Sequence, residues 1–450
     1  MTGAERSDGD IENTIATLTE DGVRTVHVVI PDLDASLRER RLALADLDAV
    51  FGPGGTFVNV LHKWDTADAV YGAGPFVGEA MALDTGSLRP YPFEADAALV
   101  FADYAGPSAA LSPRQVLKAQ IARAGALGFT VKAALEFEFI VIDETAESLR
   151  EKGYEGFDAY AVDNRCWSSQ SAAIHADFVA ELESLLESAG IAPFGLGLEL
   201  GAGCFEGTLR ATDALAAADE AVLFKTFTKA FARRHDLTAS FMAQLSADFP
   251  GLSGHVHLSL ADKQGHNMFH DAGADDGMSD VMKHSIAGLV ALTPEALGLA
   301  AHTANAWRRL TPGNWAPRTA TWAIQNYAAA VRAVPAPAQA ARLEFRLPAA
   351  DTNPYLALAL TLGAALHGIE TKASLPAPIA GGGPDETPEG LPGLPHDLVE
   401  AADRLDASQT SRAIFGDAFI DYFVASRRRE EAIVRRHVSA FERARYIEAV

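Results

Sequence analysis

Two glutamates, Glu136 and Glu138, lie two residues apart in a short stretch of alternating chemistry, Leu135-Glu136-Phe137-Glu138-Phe139-Ile140. Side chains alternate between the two faces of a β-strand, so both carboxylates point one way and the aromatic rings point the other way. Like charges this close repel each other unless a metal ion or a cationic side chain lies between them. Taken alone, the hexamer is equally compatible with a half-exposed strand that has a solvated acidic face.

The same alternation recurs further along the chain. His255-Val256-His257-Leu258-Ser259-Leu260 puts two imidazoles and a hydroxyl on one face, and Arg342-Leu343-Glu344-Phe345-Arg346-Leu347 puts two guanidiniums and a carboxylate on one face. Glu199 ends a glycine-rich apolar run, and Glu206 follows it. Several strands with one apolar face and one face of Glu, His and Arg predict a sheet whose concave side is a site for metal ions and anions.

The composition is typical of a globular enzyme and argues against nucleic acid as a partner. The chain has 450 residues, of which 48% are hydrophobic and 22% charged, and its formal net charge of −23 would repel a phosphate backbone. Its two cysteines, Cys166 and Cys204, do not suggest a disulfide framework, and we expect a cytoplasmic protein with Cys204 in the core. The polar N-terminus is unlike a signal peptide, and no apolar run reaches the roughly 18 residues that span a bilayer.

Periodicity divides the chain into a strand-rich first hundred residues and a longer part in which strands and helices alternate. In the first part we expect a helix over 11–21, strands over 25–32, 57–61, 80–84, 88–92 and 97–103, and a charged connection with a short helix over 38–49. Gly106-Pro107-Ser108 marks a candidate boundary, and Ser112-Pro113 predicts a helix start. Later helices are expected over 175–190, 213–234, 281–299, 354–372 and 397–450, with a loop over 376–395 and with Arg427-Arg428-Arg429 on a solvated helix face.

Taken in order, the motifs resemble those of the glutamine synthetase family over nearly the whole chain. They are Glu-x-Glu at 136–138, Glu-x6-Glu at 199–206, Ser-Gly-His-Val-His-x-Ser at 253–259, Arg-Leu-x-Pro-Gly at 309–313, Arg-Leu-Glu-Phe-Arg-x-Pro at 342–348 and Asn353-Pro354-Tyr355. The resemblance implies an α+β fold. Its parts would be an N-terminal β-grasp-like domain over 1–106 and a catalytic domain over 107–450, built on a curved antiparallel sheet, or open barrel, with surrounding helices.

The resemblance also implies two metal sites and the nucleotide ATP. The first site would take Glu138, Glu199 and Glu206, and the second would take Glu136, His255 and Glu344. Three carboxylates make a hard oxygen site for Mg²⁺ or Mn²⁺, and two carboxylates with an imidazole make a site that Mn²⁺ also accepts.

Further positions match residues that the family uses to bind its substrates. The resemblance places ATP against His257, Ser259, Arg332 and Arg342. It places glutamate, the amino-acid substrate, against Glu138, Gly251, His255, Arg309 and Arg346. The planar fork of Arg309 would hold the α-carboxylate, while Arg332 and Arg346 would neutralise the transferred phosphoryl group. A plain surface salt bridge remains the alternative for each arginine.

This sequence departs from the family pattern around the acceptor nitrogen. Trp315 stands in the flap where the family has a glutamate that takes a proton from ammonium, and tryptophan offers only an apolar wall or a π face. In the family, a neighbouring subunit supplies an aspartate to the ammonium site, and Asp65 is the nearest counterpart in this sequence. The alternative, that Asp65 is an ordinary loop residue, fits the sequence equally well. Tyr327 replaces an arginine near the phosphates, and Pro250 replaces an asparagine beside Gly251.

The activity that the resemblance implies is a two-step ligation, in which ATP phosphorylates the γ-carboxylate of glutamate and a nitrogen nucleophile then displaces the phosphate. Because of Trp315, the leading hypothesis is a ligase that joins glutamate to an organic amine in amine catabolism or detoxification. An ordinary glutamine synthetase that uses ammonia is one alternative, and a catalytically silent scaffold or regulator is another. The resemblance further implies a homo-oligomer, a dodecamer of two rings with active sites between subunits, and neither nucleic acid nor a membrane is expected as a partner.

Overall fold

The computed structural model describes residues 8–52, 54–247, 249–311, 314–381 and 393–450, and within them the chain forms a mixed helix and strand fold with two sheets. Pro312 and Gly313 of the flap motif, and residues 382–392 of the predicted loop, lie outside these ranges. None of the helices in the described ranges is long and apolar enough to cross a bilayer.

The first sheet has five strands in the order β2-β1-β5-β4-β3, with β1 parallel to β5. Its strands are β1 Thr25–Pro31, β2 Leu37–Ala43, β3 Thr56–Val58, β4 Gly78–Pro90 and β5 Ala97–Tyr104. The helices α1 Asp8–Glu20 and α2 Leu47–Phe51 belong to the same part of the chain. The two apolar strands β1 and β5 are buried along their whole length, which agrees with the predicted strands over 25–32 and 97–103.

Two predictions in this region were wrong. Residues 38–43 form most of β2, an edge strand with exposed arginines and a glutamate, although their charge predicted a connection. Residues 80–84 and 88–90 belong to the single strand β4, whose pairing with β5 is interrupted between Asp84 and Arg89, although two separate strands were predicted.

The second sheet has nine strands and carries the residues singled out above. The strands are β6 Thr130–Ile142, β7 Pro193–Leu198, β8 Cys204–Leu209, β9 Thr212–Asp213, β10 Thr238–Ser240, β11 Gly254–Ala261, β12 Trp322–Ile324, β13 Val331–Val334 and β14 Arg342–Phe345. Its main path is β12-β13-β14-β11-β6-β8-β7, with β9 and β10 pairing β6. All of its pairs are antiparallel except β12 with β13.

The remaining helices extend to the C-terminus, and several of them pack on this sheet. They are α3 Pro113–Ala126, α4 Ala146–Glu151, α5 Ser169–Ile174, α6 Ala176–Ser188, α7 Ala214–Arg234, α8 Asp280–Ala296, α9 Ala306–Arg309, α10 Pro354–Thr371, α11 Leu398–Ala407, α12 Gln409–Phe415, α13 Asp417–Arg436 and α14 Ala440–Tyr446. The Ser112 hydroxyl accepts the Gln115 N–H and begins α3, as predicted. The apolar helix α10 is almost completely buried between α3, α7 and α8.

The alternation along β6 separates core from cavity. Leu135, Phe137 and Phe139 are fully buried, and the two phenylalanines pack on Phe224 of α7 and on Phe241. The intervening glutamates therefore face the opposite side of the sheet. The strands β7 and β8 lie at one end of the sheet, and β13 and β14 lie towards the other end. Side chains from all four strands line the same cavity, so the sheet curls around it.

A buried arginine connects the first sheet to the helices behind the second. Arg114 of α3 is fully buried, and its guanidinium donates to Asp103 of β5, Asp84 of β4 and, with two nitrogens, to Asp219 of α7. The Tyr355 hydroxyl of α10 donates to the same Asp219.

The C-terminal helices correct one further prediction. Arg427 is 4% exposed and pairs with the buried Asp34, whereas Arg428 lies on the surface against Asp403. The Arg427-Arg428-Arg429 run is therefore not a uniformly solvated face, because its first member pairs with the segment that follows β1.

Candidate active site

The concave face of the second sheet encloses a cavity of about 1830 Å³, larger than the roughly 300–1,000 Å³ of most small-molecule sites. Fourteen of the predicted site residues line it, as do the two replaced positions Tyr327 and Pro250. The fourteen are Glu136, Glu138, Glu199, Glu206, Gly251, His255, His257, Ser259, Arg309, Trp315, Arg332, Arg342, Glu344 and Arg346. The cavity is therefore large enough for a nucleotide and an amino acid together.

At its centre, Glu136 of β6, His255 of β11 and Glu344 of β14 each offer a ligand atom, and these atoms lie within 4.8 Å of one another. Strand pairing explains this proximity, because His255 is the register partner of Glu136, and His257, two residues on, is the partner of Glu344. Among the described residues, no other group of three or more His, Cys, Asp or Glu side chains brings its ligand atoms this close together.

The protonation states of this trio suit a metal ion. Burial opposes the ionisation of Glu136, but hydrogen bonds from His255 and His257 outweigh it and hold the pKa of Glu136 well below its usual range. Burial and the charge of Arg346 lower the pKa of His255 to about 4, so the imidazole is neutral near pH 7. Its Nδ1 pairs with Glu136, while its buried Nε2 has no hydrogen-bond partner among the described residues. An ionised carboxylate and a neutral imidazole with a free nitrogen are the forms that bind metal.

The third member of the trio, Glu344, is 1% exposed and is held by two arginines of the cavity. Arg332 and Arg346 each donate to one of its oxygens. The Tyr327 ring lies under both guanidiniums, 4.1 Å from that of Arg332 and 5.3 Å from that of Arg346. Tyr327 therefore does not replace the charge of an arginine, but it holds the two remaining arginines by its π face and by its carbonyl, which accepts from Arg346.

The other predicted metal ligands, Glu138, Glu199 and Glu206, line the cavity beside this trio at wider spacing. Glu138 and Glu206 face each other across β6 and β8, and the Glu138 Oε2 accepts the Ser253 N–H at 2.6 Å. Burial, followed by the charges of Glu136, Glu138 and Glu199, raises the pKa of Glu206 to about 8. Burial also raises the pKa of Glu138, although the Ser253 N–H and Arg309 act in the opposite direction.

These carboxylates repel one another without a cation between them, so the donor set fits a bound divalent ion. Glu138, Glu199 and Glu206 would hold one ion with oxygen donors alone. Glu136, His255 and Glu344 would hold a second ion with one nitrogen and oxygen donors.

Arg309, at the end of α9, is 1% exposed and reaches the cavity beside Glu138. Burial lowers the pKa of Arg309 to about 10, so the guanidinium stays charged. Two of its nitrogens donate to the carbonyls of Leu347 and Arg346. A Cβ on Gly251 would lie 2.9 Å from Cγ of Arg309 and 3.1 Å from Asn314, so glycine lets this arginine and the flap approach closely.

The other positions predicted to bind nucleotide, His257, Ser259 and Arg342, also line the cavity. Arg342 donates to the Nδ1 of His257 at 3.3 Å, and the His257 Nε2 lies 3.3 Å from Glu136. The Ser259 hydroxyl donates to the Ala341 carbonyl and accepts from Asn267, a residue that the motifs did not single out.

Asp65 is the predicted site residue that does not line the cavity of its own chain. Its Oδ1 accepts the N–H groups of Ala67 and Ala69 within a turn, and Oδ2 lies 3.7 Å from Arg429. Its role in a neighbouring subunit stays a prediction.

Three residues of the cavity region were missed by the motif search and lie in the irregular segment before α5. The Trp167 indole N–H donates to the Glu199 Oε2 at 2.7 Å, and the Cys166 thiol lies 3.3 Å from its Oε1. The Asn164 amide donates to the carbonyls of Glu199 and Gly201, which closes the turn between β7 and β8. No periodic pattern identifies such residues, since loop conformation rather than strand alternation places them.

Comparison with known proteins agrees with this geometry. A family model for the catalytic domain of glutamine synthetase matches residues 110–446. The chain is 32% identical to type-1 glutamine synthetase 2 of Dictyostelium discoideum over 438 residues, which are 94% of this chain and 84% of that protein. It is 31% identical to a glutamate–isopropylamine ligase of Pseudomonas sp over 439 residues, which are 95% of this chain and 96% of that protein. A solved GmaS/ADP complex aligns with a TM-score of 0.85 at 26% identity, covering 97% of this chain and 99% of that chain.

Proposed function

The chain belongs to the glutamine synthetase family and is an ATP-dependent ligase, and from that premise we propose that it joins the γ-carboxylate of glutamate to an organic amine. One observation carries the proposal. The predicted metal ligands line a single cavity together with Trp315, which stands where a proton-accepting glutamate is expected. The Pseudomonas relative, named for its action on isopropylamine, supports an organic acceptor.

The residues of the cavity divide the reaction between them. Arg309 would bind the α-carboxylate of glutamate, and its burial, its charge and its position beside Glu138 support this role. Arg332 and Arg346, which stack on the Tyr327 ring, would neutralise the γ-phosphoryl group as it leaves ATP and joins the γ-carboxylate. His257, Ser259 and Arg342 would bind the nucleotide, and all three line the same cavity.

Divalent metal ions, when bound, would supply positive charge to the phosphate oxygens and orient them for transfer. Glu138, Glu199 and Glu206 would hold one ion, and Glu136, His255 and Glu344 would hold the other. The amine then attacks the carbonyl carbon of the γ-glutamyl phosphate, phosphate leaves, and the ammonium proton goes to a base or to water. Trp315 cannot accept that proton, so its contribution is to shape the space for the substituent on nitrogen.

An acceptor screen tests the proposal directly. Glutamate, ATP and Mg²⁺ or Mn²⁺ are combined in turn with ammonia, alkylamines, ethanolamine, polyamines and anilines, while ADP release is measured and the amide is identified by mass. We expect an organic amine to have the highest kcat/KM. Ammonia as the best acceptor would identify an ordinary glutamine synthetase, and metal binding without ADP release on any acceptor would identify a silent relative.

A pair of matched variants controls the screen. Glu344→Gln should abolish ADP release with every acceptor, because it removes a predicted metal ligand. Glu400→Gln changes a surface carboxylate that pairs with Arg404 on α11, and it should leave ADP release as in the wild type. Equal activity of the two variants would contradict the assigned metal site.

The same family membership supports three proposals about the whole protein. The N-terminal sheet is proposed to be a β-grasp-like domain that ends near residue 106. The protein is proposed to be a cytoplasmic homo-oligomer, a dodecamer of two rings, in which Asp65 reaches the active site of the adjacent subunit. Sedimentation at several protein concentrations tests the assembly.

A further inference from the structure

At the end of β11, a returning segment of the chain takes the place of the neighbouring strand β14. The last register pair between the two strands is Leu258 with Leu343. The final residue of β11, Ala261, pairs with Thr130 of β6 on one edge and, beyond a short turn, with Asn267 on the other edge. Asn267 therefore lies beside β11 at the point where β14 no longer pairs with it.

The Asn267 side chain joins β11 to the segment before β14. Its Nδ2 donates to the Ala341 carbonyl at 2.7 Å and to the Ser259 hydroxyl at 3.0 Å. That hydroxyl donates to the same carbonyl at 3.1 Å. We call these hydrogen bonds the β11 clamp. The Asn267 Oδ1 accepts the Phe269 N–H at 2.8 Å, which orients the amide. Both N–H groups of the amide have protein partners, so Asn267 has no free donor for a ligand.

The residue after Ala341 is Arg342, and its guanidinium depends on the same segment. Nη1 donates to the Ala340 carbonyl at 3.1 Å, and Nε donates to Nδ1 of His257 at 3.3 Å. Nη2 makes no hydrogen bond with any described residue, and no described carboxylate pairs with this arginine. Arg342 thus offers a positive charge and a free nitrogen to an anionic ligand in the cavity that it lines.

Other polar side chains of the cavity wall do not replace the β11 clamp. Lys132 lines the cavity but pairs with Asp213 at 2.8 Å. His270 also lines the cavity, and its Nδ1 bonds to the Pro335 carbonyl at 2.8 Å. The segment that carries Arg342 is therefore held against the end of β11 by the clamp.

We infer that Asn267 is a positioning residue for the nucleotide. Through the Ala341 carbonyl it fixes the segment that presents Arg342, and without the clamp this segment would move relative to β11. The inference rests on the proposed placement of ATP against His257, Ser259 and Arg342, and it adds a residue outside the motifs to that site. Because the donors of Asn267 are already used, its effect on ATP should depend on Arg342.

A double-mutant cycle tests this dependence. ATP binding is measured by calorimetry with Mg²⁺, without glutamate or any amine, for the wild type, Asn267→Ala, Arg342→Ala and the double variant. Asn267→Ala should weaken ATP binding about 10-fold, the loss expected for one or two hydrogen bonds. In the Arg342→Ala background the same substitution should change the Kd by less than about 2-fold, because the residue through which it acts is absent.

Two further variants and a metal measurement separate positioning from general damage. Mn²⁺ binding, measured without nucleotide, should be the same in Asn267→Ala as in the wild type. Asn267→Ser keeps an oxygen for the Phe269 N–H but is too short to reach the Ala341 carbonyl, so it should weaken ATP binding by a similar factor. Gln120→Ala is the matched control. The Gln120 Nε2 also donates to a distant carbonyl, that of Ile414 at 2.8 Å, but Gln120 does not line the cavity, so ATP binding should stay unchanged.

The inference is overturned if Asn267→Ala binds ATP as the wild type does, if it weakens ATP binding equally in the Arg342→Ala background, or if it weakens Mn²⁺ binding by the same factor. It is also overturned if Gln120→Ala weakens ATP binding as strongly. Wild-type affinity in Arg342→Ala would contradict the proposed nucleotide site, and the inference with it. The organic acceptor is tested separately by the screen, because no amine takes part in the binding measurement.

Discussion

Replacement of Arg114 by methionine should strongly destabilise the protein, because three carboxylates would lose their shared cation. The Arg114 guanidinium is fully buried and lies 2.5–2.9 Å from oxygens of Asp84, Asp103 and Asp219. Methionine fills a similar volume, so the dominant cost is the unpaired charge. Removal of one partner from a buried ion pair costs about 3–5 kcal/mol of stability. The Lys118 ammonium lies 2.8 Å from Asp103 and offsets only part of this cost.

Urea unfolding, followed by far-UV circular dichroism at fixed protein concentration, measures the effect. Arg428→Met is the matched control, since Arg428 also pairs with two aspartates but its side chain is 44% exposed, and its loss should cost about 0–1 kcal/mol. Adding Asp219→Asn to Arg114→Met should recover part of the loss, because one uncompensated carboxylate is removed. Similar unfolding midpoints for Arg114→Met and Arg428→Met would refute the reasoning.

Three further predictions concern the flap, the metal site and acid stability. Trp315→Glu should raise kcat/KM for ammonia relative to organic amines, because it restores a proton acceptor; an unchanged acceptor ranking would count against this role of the flap. Asn164→Ala should weaken Mn²⁺ binding about 10-fold in calorimetry, since Asn164 holds the carbonyls of Glu199 and Gly201 at 2.6 and 2.7 Å; unchanged affinity would contradict it. Burial lowers the pKa of His62 from 6.5 to about 4. Between these two pH values the unfolded chain binds a proton at His62 that the folded chain does not bind. The free energy of unfolding should therefore fall by up to about 3 kcal/mol as the pH is lowered through this range. In urea unfolding at pH 7 and pH 5, His62→Leu should lose less stability between the two pH values than the wild type does. The same loss in both proteins would show that other groups cause the pH dependence.

The residue types along each strand were sufficient to predict the site, because alternation fixes which side chains share a face. Glu136 and Glu138 on β6, and His255 and His257 on β11, all line the predicted cavity. The cap at Ser112 was likewise predictable, because capping depends on neighbours in sequence.

Elements without a local signal were missed. The strand β2 carries charge on both faces, because it lies at the edge of its sheet and is largely exposed, so its sequence has no apolar alternation. Arg427 was placed on the surface because its neighbours are arginines, and only its contact with the distant Asp34 explains its burial.

The sequence by itself determined which chemical groups this protein presents and on which face of each strand they stand, since that depends on the period of the backbone. Only the tertiary structure decided how closely Glu344 approaches Glu136 and His255, and that Trp167 and Trp315 line one cavity. These contacts join residues far apart in the chain, and their proximity follows from strand pairing and loop conformation, which no local pattern encodes.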